Sequence, residues 1–360
     1  MTGCGVAAPN DDRDEDMAMV RYGVLAAATA MLAGTMATAT AMATPVQARD
    51  VTLMTYNVHG LPWPITDDRS VDLRAIGTRL RAMRDAGDQP GIVVLQEAFV
   101  DNAKAIGRTA GYRYAAFGPA ENATASIPRN DDGFVSEGSR LVGERLGKHV
   151  DSGLAIFSDY PILAVRRMAY PVCAGYDCLA NKGAVAALIA VPGIATPIVV
   201  VDTHLNSNTA SGAPSPRAIY AYRRQLDLLA DFIGSLGAGD RPILVAGDFN
   251  VGRDLARRTH FDLRMLGGEA SLQTAVASCR IAPRCPVAEP SGMALSIGRG
   301  KDWMMYRPSP TVRIRPVALA APFGQAANGT MLSDHVGVSV RYRIDTLAAP
   351  AASITTIASR

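Results

Sequence analysis

Six short, near-continuous runs of Val, Ile, Leu and Ala, alternating with amphipathic segments, limit most strongly how this 360-residue chain folds. Val51–Tyr56, Ile92–Gln96, Gly153–Phe157, Ala184–Val191, Pro197–Thr203 and Pro242–Ala246 are too apolar to leave one face in water. They predict strands covered on both sides. Val312–Val317 and Val336–Arg343 add two more near the end of the chain. Leu73, Ile76, Leu80 and Met83 recur at spacings of three and four and predict a helix. Ile219, Tyr222, Leu226, Leu229 and Ile233 predict another, with Ser215 as N-cap and Pro216 at the first helical position. An apolar fraction of 48% with 19% charged residues excludes a disordered chain. The lack of a fixed repeat excludes solenoids and propellers. A single layered α/β domain over residues 49–345 is expected.

The N-terminal 48 residues are set apart from that domain. Arg21 precedes an Ala-rich apolar run from Val24 to Ala43, and Val46-Gln47-Ala48 offers small residues where a signal peptidase cuts. Export to a periplasm or out of the cell, with cleavage after Ala48, is the expectation. An uncleaved anchor is the other reading of the run. The acidic stretch Asp11–Asp16 ahead of it suggests that the true start is Met17 or Met19. Without residues 1–48 the chain keeps 34 basic and 28 acidic residues, or +6, a mild bias toward an anionic partner. Cys173, Cys178, Cys279 and Cys285 form two close pairs, which in an oxidising compartment predicts Cys173–Cys178 and Cys279–Cys285 disulfides; a zinc site is the alternative. Residues 119–150 are expected to form a long polar loop, and residues 346–360 a disordered tail.

Chemistry-bearing side chains fall where the predicted strands end. Asn57 follows the first strand, Gln96-Glu97 the second, Asp202-Thr203-His204 the fifth and Gly247-Asp248-Phe249-Asn250 the sixth, and Ser333-Asp334-His335 precedes the last. Loops at strand ends converge over a rigid sheet, where α/β proteins place their ligands. Asn57, Glu97, Asp248 and Asn250 are hard oxygen donors suited to Mg2+ or Mn2+. Histidines beside carboxylates suit proton transfer near neutral pH. No Ser, Cys or Thr nucleophile motif is present, so water is the expected attacker and hydrolysis the expected reaction.

In this combination and order the motifs resemble the endonuclease/exonuclease/phosphatase superfamily, over nearly all of the chain after the leader. The resemblance implies a four-layered α/β sandwich, DNase I-like, with two mixed β-sheets face to face and helices outside. It also implies metal-dependent cleavage of phosphoesters by Mg2+, Mn2+ or Co2+. Carried over by position, it implies metal binding by Asn57, Glu97, Asp248, Asn250 and His335. Catalytic roles fall on His204, His335, Asp248, Asn250, Asp302 and Asp334, with Asp302 orienting His335; which histidine is acid and which is base stays open.

Within that superfamily, Asn57-Val58-His59-Gly60-Leu61-Pro62, the Cys173–Gly183 segment and Asp151-Ser152-Gly153 resemble bacterial secreted sphingomyelinases. The resemblance implies substrate contacts from Lys182, Asn181 and Asp151 and hydrolysis of sphingomyelin, or a related phospholipid, to ceramide and phosphocholine. The alternatives are a secreted nuclease, toward which Arg253, Arg257 and Arg258 offer a local basic face, and a phosphatase of a small phosphoester. One departure stands out: those enzymes carry an aromatic-tipped hairpin, whereas Arg284–Arg299 holds no aromatic residue, with Met293, Leu295 and Ile297 in its place. Peripheral membrane contact then falls to Leu61-Pro62-Trp63-Pro64, unless Trp63 is packed core. No protein partner is implied.

Overall fold

A computed structural model describes residues 45–236, 241–268, 270–326 and 328–347. Its strands are β1 (Pro45–Gly60), β2 (Ile92–Ala98), β3 (Tyr114–Phe117), β4 (Ala155–Ser158), β5 (Ile162–Ala169), β6 (Gly183–Ile189) and β7 (Ile198–His204). They continue as β8 (Ile243–Asp248), β9 (Gln273–Thr274), β10 (Val287–Ala288), β11 (Asp302–Arg307), β12 (Val312–Phe323) and β13 (Gly337–Leu347). One sheet runs β10-β12-β13-β1-β2-β4-β3 and the other β5-β6-β7-β8-β11-β9. Both are mixed: β1–β2 and β7–β8 are parallel, whereas β1–β13 and β8–β11 are antiparallel.

Strand alternation builds the four layers. Ile92 and Val94 of β2 join Val185 and Ala187 of β6 and Val200 of β7 in the core between the sheets. Their neighbours Val93 and Leu95 point the other way, onto Leu73, Ile76 and Leu80 of helix Ser70–Asp85. Ala184, Ala186, Val199 and Val201 meet Tyr222, Leu226, Leu229 and Ile233 of helix Ser215–Ser235. Both faces of these strands are therefore dry, as continuous apolar runs require.

The differences from the sequence expectations have local causes. β5 carries Arg166 and Arg167 and alternates little because it is an edge strand, where charge discourages further pairing. β11, Asp302-Trp303-Met304-Met305-Tyr306-Arg307, lacks β-branched residues yet sits between β8 and β9. The long helix begins at Ser215 rather than after it, so Pro216 is its second residue. Residues 119–150 are not one open loop. They form short helical turns anchored to helix Ser215–Ser235, where buried Asp131 accepts from Arg224 and from the Tyr220 hydroxyl, and Glu144 accepts from Arg217.

Both expected disulfides are present, Cys173–Cys178 and Cys279–Cys285, with Cα atoms 5.2 and 5.4 Å apart. β1 begins at Pro45 and pairs to Leu347 of β13, so the sheet extends past both expected ends of the domain. A cut after Ala48 would fall inside that strand. Residues 1–44 and 348–360, which carry the rest of the expected leader and tail, lie outside the described residues. Among the described residues, no helix is long and apolar enough to cross a membrane.

Candidate active site

Strand register brings distant residues to one edge. In the second sheet, His204 of β7 lies opposite Asp248 of β8, and Asp248 opposite Asp302 of β11. In the first, Asn57 lies opposite Gln96, with Glu97 next along. The end of β8 needs Gly247: its φ is +149°, and a Cβ there would lie 2.2 Å from the Thr203 carbonyl oxygen of β7. Glu97, Asn250 and His59 also hold positive φ, at 55°, 47° and 52°. Backbone strain gathered in this way re-aims side chains at functional sites.

The two sheets meet through these groups. Asn57 Nδ2 donates to Glu97 Oε1 at 2.9 Å and to Asp248 Oδ2 at 3.1 Å. The Ser333 hydroxyl donates to the Asn57 carbonyl at 2.7 Å, fixing the Ser-Asp-His turn against β1. His335 Nδ1 then faces Asp302 at 2.9 and 3.0 Å, and its Nε2 lies 3.6 Å from Asp248 Oδ2. Burial pulls the His335 imidazole toward neutrality, but the carboxylates of Asp302 and Asp248 outweigh it and hold the pKa up at about 10. Burial pushes the Asp248 carboxyl up to about 6 against the pull of His335.

The second histidine is its opposite. Burial, then the Lys182 ammonium and His335, push His204 well below the ordinary histidine range. Its Nε2 lies 3.1 Å from Lys182 Nζ, and its buried Nδ1 has no hydrogen-bond partner among the described residues. The site therefore pairs one charged and one neutral imidazole.

The donor set fits a hard divalent cation. Glu97 and Asp248 converge with His204 within 4.8 Å, and no described lysine or arginine forms an ion pair with either carboxylate. Asp248 has the His335 imidazole 3.6 Å away, but Glu97 faces no lysine or arginine, so the two carboxylates sharing one amide leave room for a further positive charge. Asn57 turns its amide nitrogen to them and its oxygen to the His59 N–H at 3.1 Å; a flipped amide would present oxygen to a cation.

Other expected site residues are placed as follows. Asn250 is buried; its backbone N–H donates to Asp248 Oδ1 at 3.0 Å and its Nδ2 to the Leu205 carbonyl at 2.9 Å. Asp334 is exposed, 3.5 Å from His59 Nδ1. Two expected substrate contacts are engaged elsewhere. The Asn181 amide donates to the Ala120 and Ala123 carbonyls, and Asp151 pairs with Lys104 at 2.7 Å. Lys182 is buried beside His204, held 2.7 Å from Asp177, which also accepts from the Ser207 N–H and hydroxyl. The importance of Asp177 was not legible, although an acidic residue inside the Cys173–Cys178 loop was its signal. Arg257 does not belong to a basic face: it is fully buried, and its guanidinium donates to the carbonyls of Asn206, Asn250, Ser207 and Ala218. Asp202, beside His204 in sequence, accepts instead from Gln96 at 2.6 Å between the sheets.

A cleft of about 590 Å³ opens over this centre. Glu97, Lys182, His204, Asp248, Asn250, Lys301 and His335 line its polar floor, and Leu61, Trp63, Phe99, Leu146, Tyr176 and Leu179 stand among its apolar walls. It suits a ligand with an anionic head and an apolar body.

Known proteins resemble this chain in sequence or in fold. A sphingomyelinase of Mycobacterium bovis is 25% identical over 291 residues, 79% of this chain, and the chain spans about half (51%) of that relative. A beta toxin variant of Staphylococcus aureus solved with bound magnesium ions superposes with a TM-score of 0.54 at 17% identity, covering 81% of this chain and 99% of the other. Danio rerio TDP2 complexed with a single-strand DNA product superposes at 0.52 and 15% identity, covering 81% and 98%. At these identities the superpositions establish the sandwich fold. The sequence profile of the Endonuclease/Exonuclease/phosphatase family matches residues 54–335, spanning Asn57, Glu97, His204, Asp248, Asp302 and His335, and the chain belongs to that family.

Proposed function

We propose that this chain is an exported, Mg2+-dependent phosphodiesterase of phospholipase C type, which hydrolyses sphingomyelin or a related phospholipid to ceramide and phosphocholine. The observation that carries the reading is the cleft: two converging carboxylates and a carboxylate-held imidazole at its floor, with apolar walls above. A phosphodiester between a polar head and a long apolar body matches both parts. The sphingomyelinase relative supports the substrate class, and two disulfides suit an extracellular or periplasmic compartment. The nuclease alternative loses one of the three arginines of its basic face to the burial of Arg257.

Asn57, Glu97 and Asp248 would hold the cation, with Asn250 and His335 beside them. A divalent ion held there would supply charge to neutralise the phosphoryl group and to lower the pKa of a water. Water would then replace the ceramide oxygen at phosphorus, its proton passing to the His204 imidazole, which burial biases toward the neutral form, while the departing oxygen takes one from His335. His335 enters charged and is the donor to a phosphoryl or leaving oxygen, with Asp302 fixing its ring. Asn250, whose Nδ2 is bound to Leu205, keeps its side-chain Oδ1 to accept from the water. Lys182 brings the floor's second cation toward the phosphoryl group, its reach set by Asp177.

The test uses the full chain with Mg2+ and then EDTA. Phosphocholine release from sphingomyelin vesicles and nicking of plasmid DNA are followed in parallel, with His335→Ala as control. Lipid turnover lost in both controls is expected. DNA nicking without lipid turnover would replace this reading by the nuclease one.

A further inference from the structure

The rim of the cleft is apolar and open to solvent. Trp63 is 83% exposed, Ile65 60%, Leu146 52% and Tyr176 51%, and all four line the mouth of the same cavity. Large apolar side chains gathered this way on a water-soluble surface mark an interaction site. They come from three separate segments: the turn after β1, the 139–149 segment and the Cys173–Cys178 loop. Local sequence therefore does not explain their convergence. Trp63 is held out from the fold rather than packed into it, which answers the question its sequence left open.

Cations accompany them. Arg140 and Arg145 are exposed on either side of Leu141, itself 90% exposed, and Leu146 follows Arg145 directly. The acidic residue between them, Glu144, is turned inward and neutralised by Arg217. Exposed Trp and Leu interleaved with Arg is the composition that settles at the boundary between head groups and acyl chains. Residues 284–299, by contrast, form β10 and helix Pro290–Arg299 and make no projecting hairpin.

We propose that Trp63, Ile65, Leu146 and Tyr176, flanked by Arg140 and Arg145, form a docking surface for a phospholipid bilayer, seating the cleft mouth on the membrane. The proposal deepens, and rests on, the phospholipid reading of this cleft. The bilayer is favoured over a protein partner because the same rim continues into the walls that would take the substrate's apolar body. A lipid leaving the bilayer then reaches the floor without crossing water.

Co-sedimentation with vesicles of phosphatidylcholine and sphingomyelin, with and without phosphatidylglycerol, tests it in EDTA, where turnover plays no part. Trp63→Ala and Leu146→Ser are each expected to lower the partition coefficient about tenfold, as loss of one buried large apolar side chain implies. Leu163→Ser, equally open but on edge strand β5, leaves it unchanged. Arg145→Glu weakens binding most on the phosphatidylglycerol vesicles. With Mg2+ restored, Trp63→Ala loses more turnover of vesicles than of a water-soluble phosphocholine ester. Wild-type partition retained in both rim variants, or self-association without lipid that Trp63→Ala abolishes, would overturn the proposal, the latter in favour of a second copy. Vesicle binding with no hydrolysis of any phosphocholine ester would sink the substrate assignment alone. Hydrolysis of the soluble ester with no vesicle binding would sink the docking surface alone.

Discussion

Replacing Asp302 by Asn probes how the site holds its charged imidazole. The substitution keeps an oxygen that accepts from His335 Nδ1, at 2.9 Å in the native pair, and removes only the charge. A pKa held at about 10 against an ordinary 6.5 corresponds to roughly 4–5 kcal/mol of preference for the imidazolium. Asp248 and Asp334 contribute part of it, so about 3 kcal/mol is assigned to Asp302, at the low end for breaking a buried pair. The sign follows from the raised pKa: this stability is fully present below pH 6.5, where the unfolded histidine is also charged, and is lost as pH rises through about 10. Urea unfolding in EDTA is the assay. At pH 6 the Asp302→Asn midpoint is expected to fall by about 1 M, given a slope of roughly 3 kcal/mol/M for a domain of this size. The two proteins should converge as pH approaches 10. An equal drop at pH 6 and pH 10 would mean that packing, not charge, carries the effect, and no drop at pH 6 would show that His335 is not held charged.

The remaining outcomes test the scaffold and the site separately. Gly247→Ala forces a Cβ toward the Thr203 carbonyl and is expected to cost roughly 2–4 kcal/mol in thermal or urea unfolding; a neutral result would refute the need for glycine at the end of β8. Arg257→Met leaves carbonyls of Asn206, Asn250, Ser207 and Ala218 without their donor and should destabilise by about 3 kcal/mol or more. Asp177→Asn leaves buried Lys182 without its counter-ion and is expected to lower kcat about a hundredfold through misplacement and to cost roughly 3 kcal/mol in unfolding. Glu97→Gln should abolish Mg2+ binding in calorimetry while leaving the unfolding midpoint in EDTA unchanged or higher, since it relieves an uncompensated carboxylate. Retained Mg2+ affinity would remove Glu97 from the metal set.

The sequence determined the layered α/β class, because β2, β6, β7 and β8 are apolar on both faces and only a sheet covered on both sides accepts such strands. It also marked the chemistry, because Asn57, Glu97, His204, Asp248 and His335 are polar groups placed where apolar runs stop. Tertiary structure decided what those groups meet. Asp248 reaches Asn57 across 191 residues and His335 reaches Asp302 across 33, and no local pattern encodes strand order or register. Lys182 and Arg257 show the same limit from opposite sides. Both are exposed-looking cations in sequence, yet one is buried against His204 and the other inside a ring of carbonyls. Burial is a property of the whole packed chain, and it alone decides whether a charge serves the site, serves the fold or, like Trp63 among the apolar residues, is left facing outward.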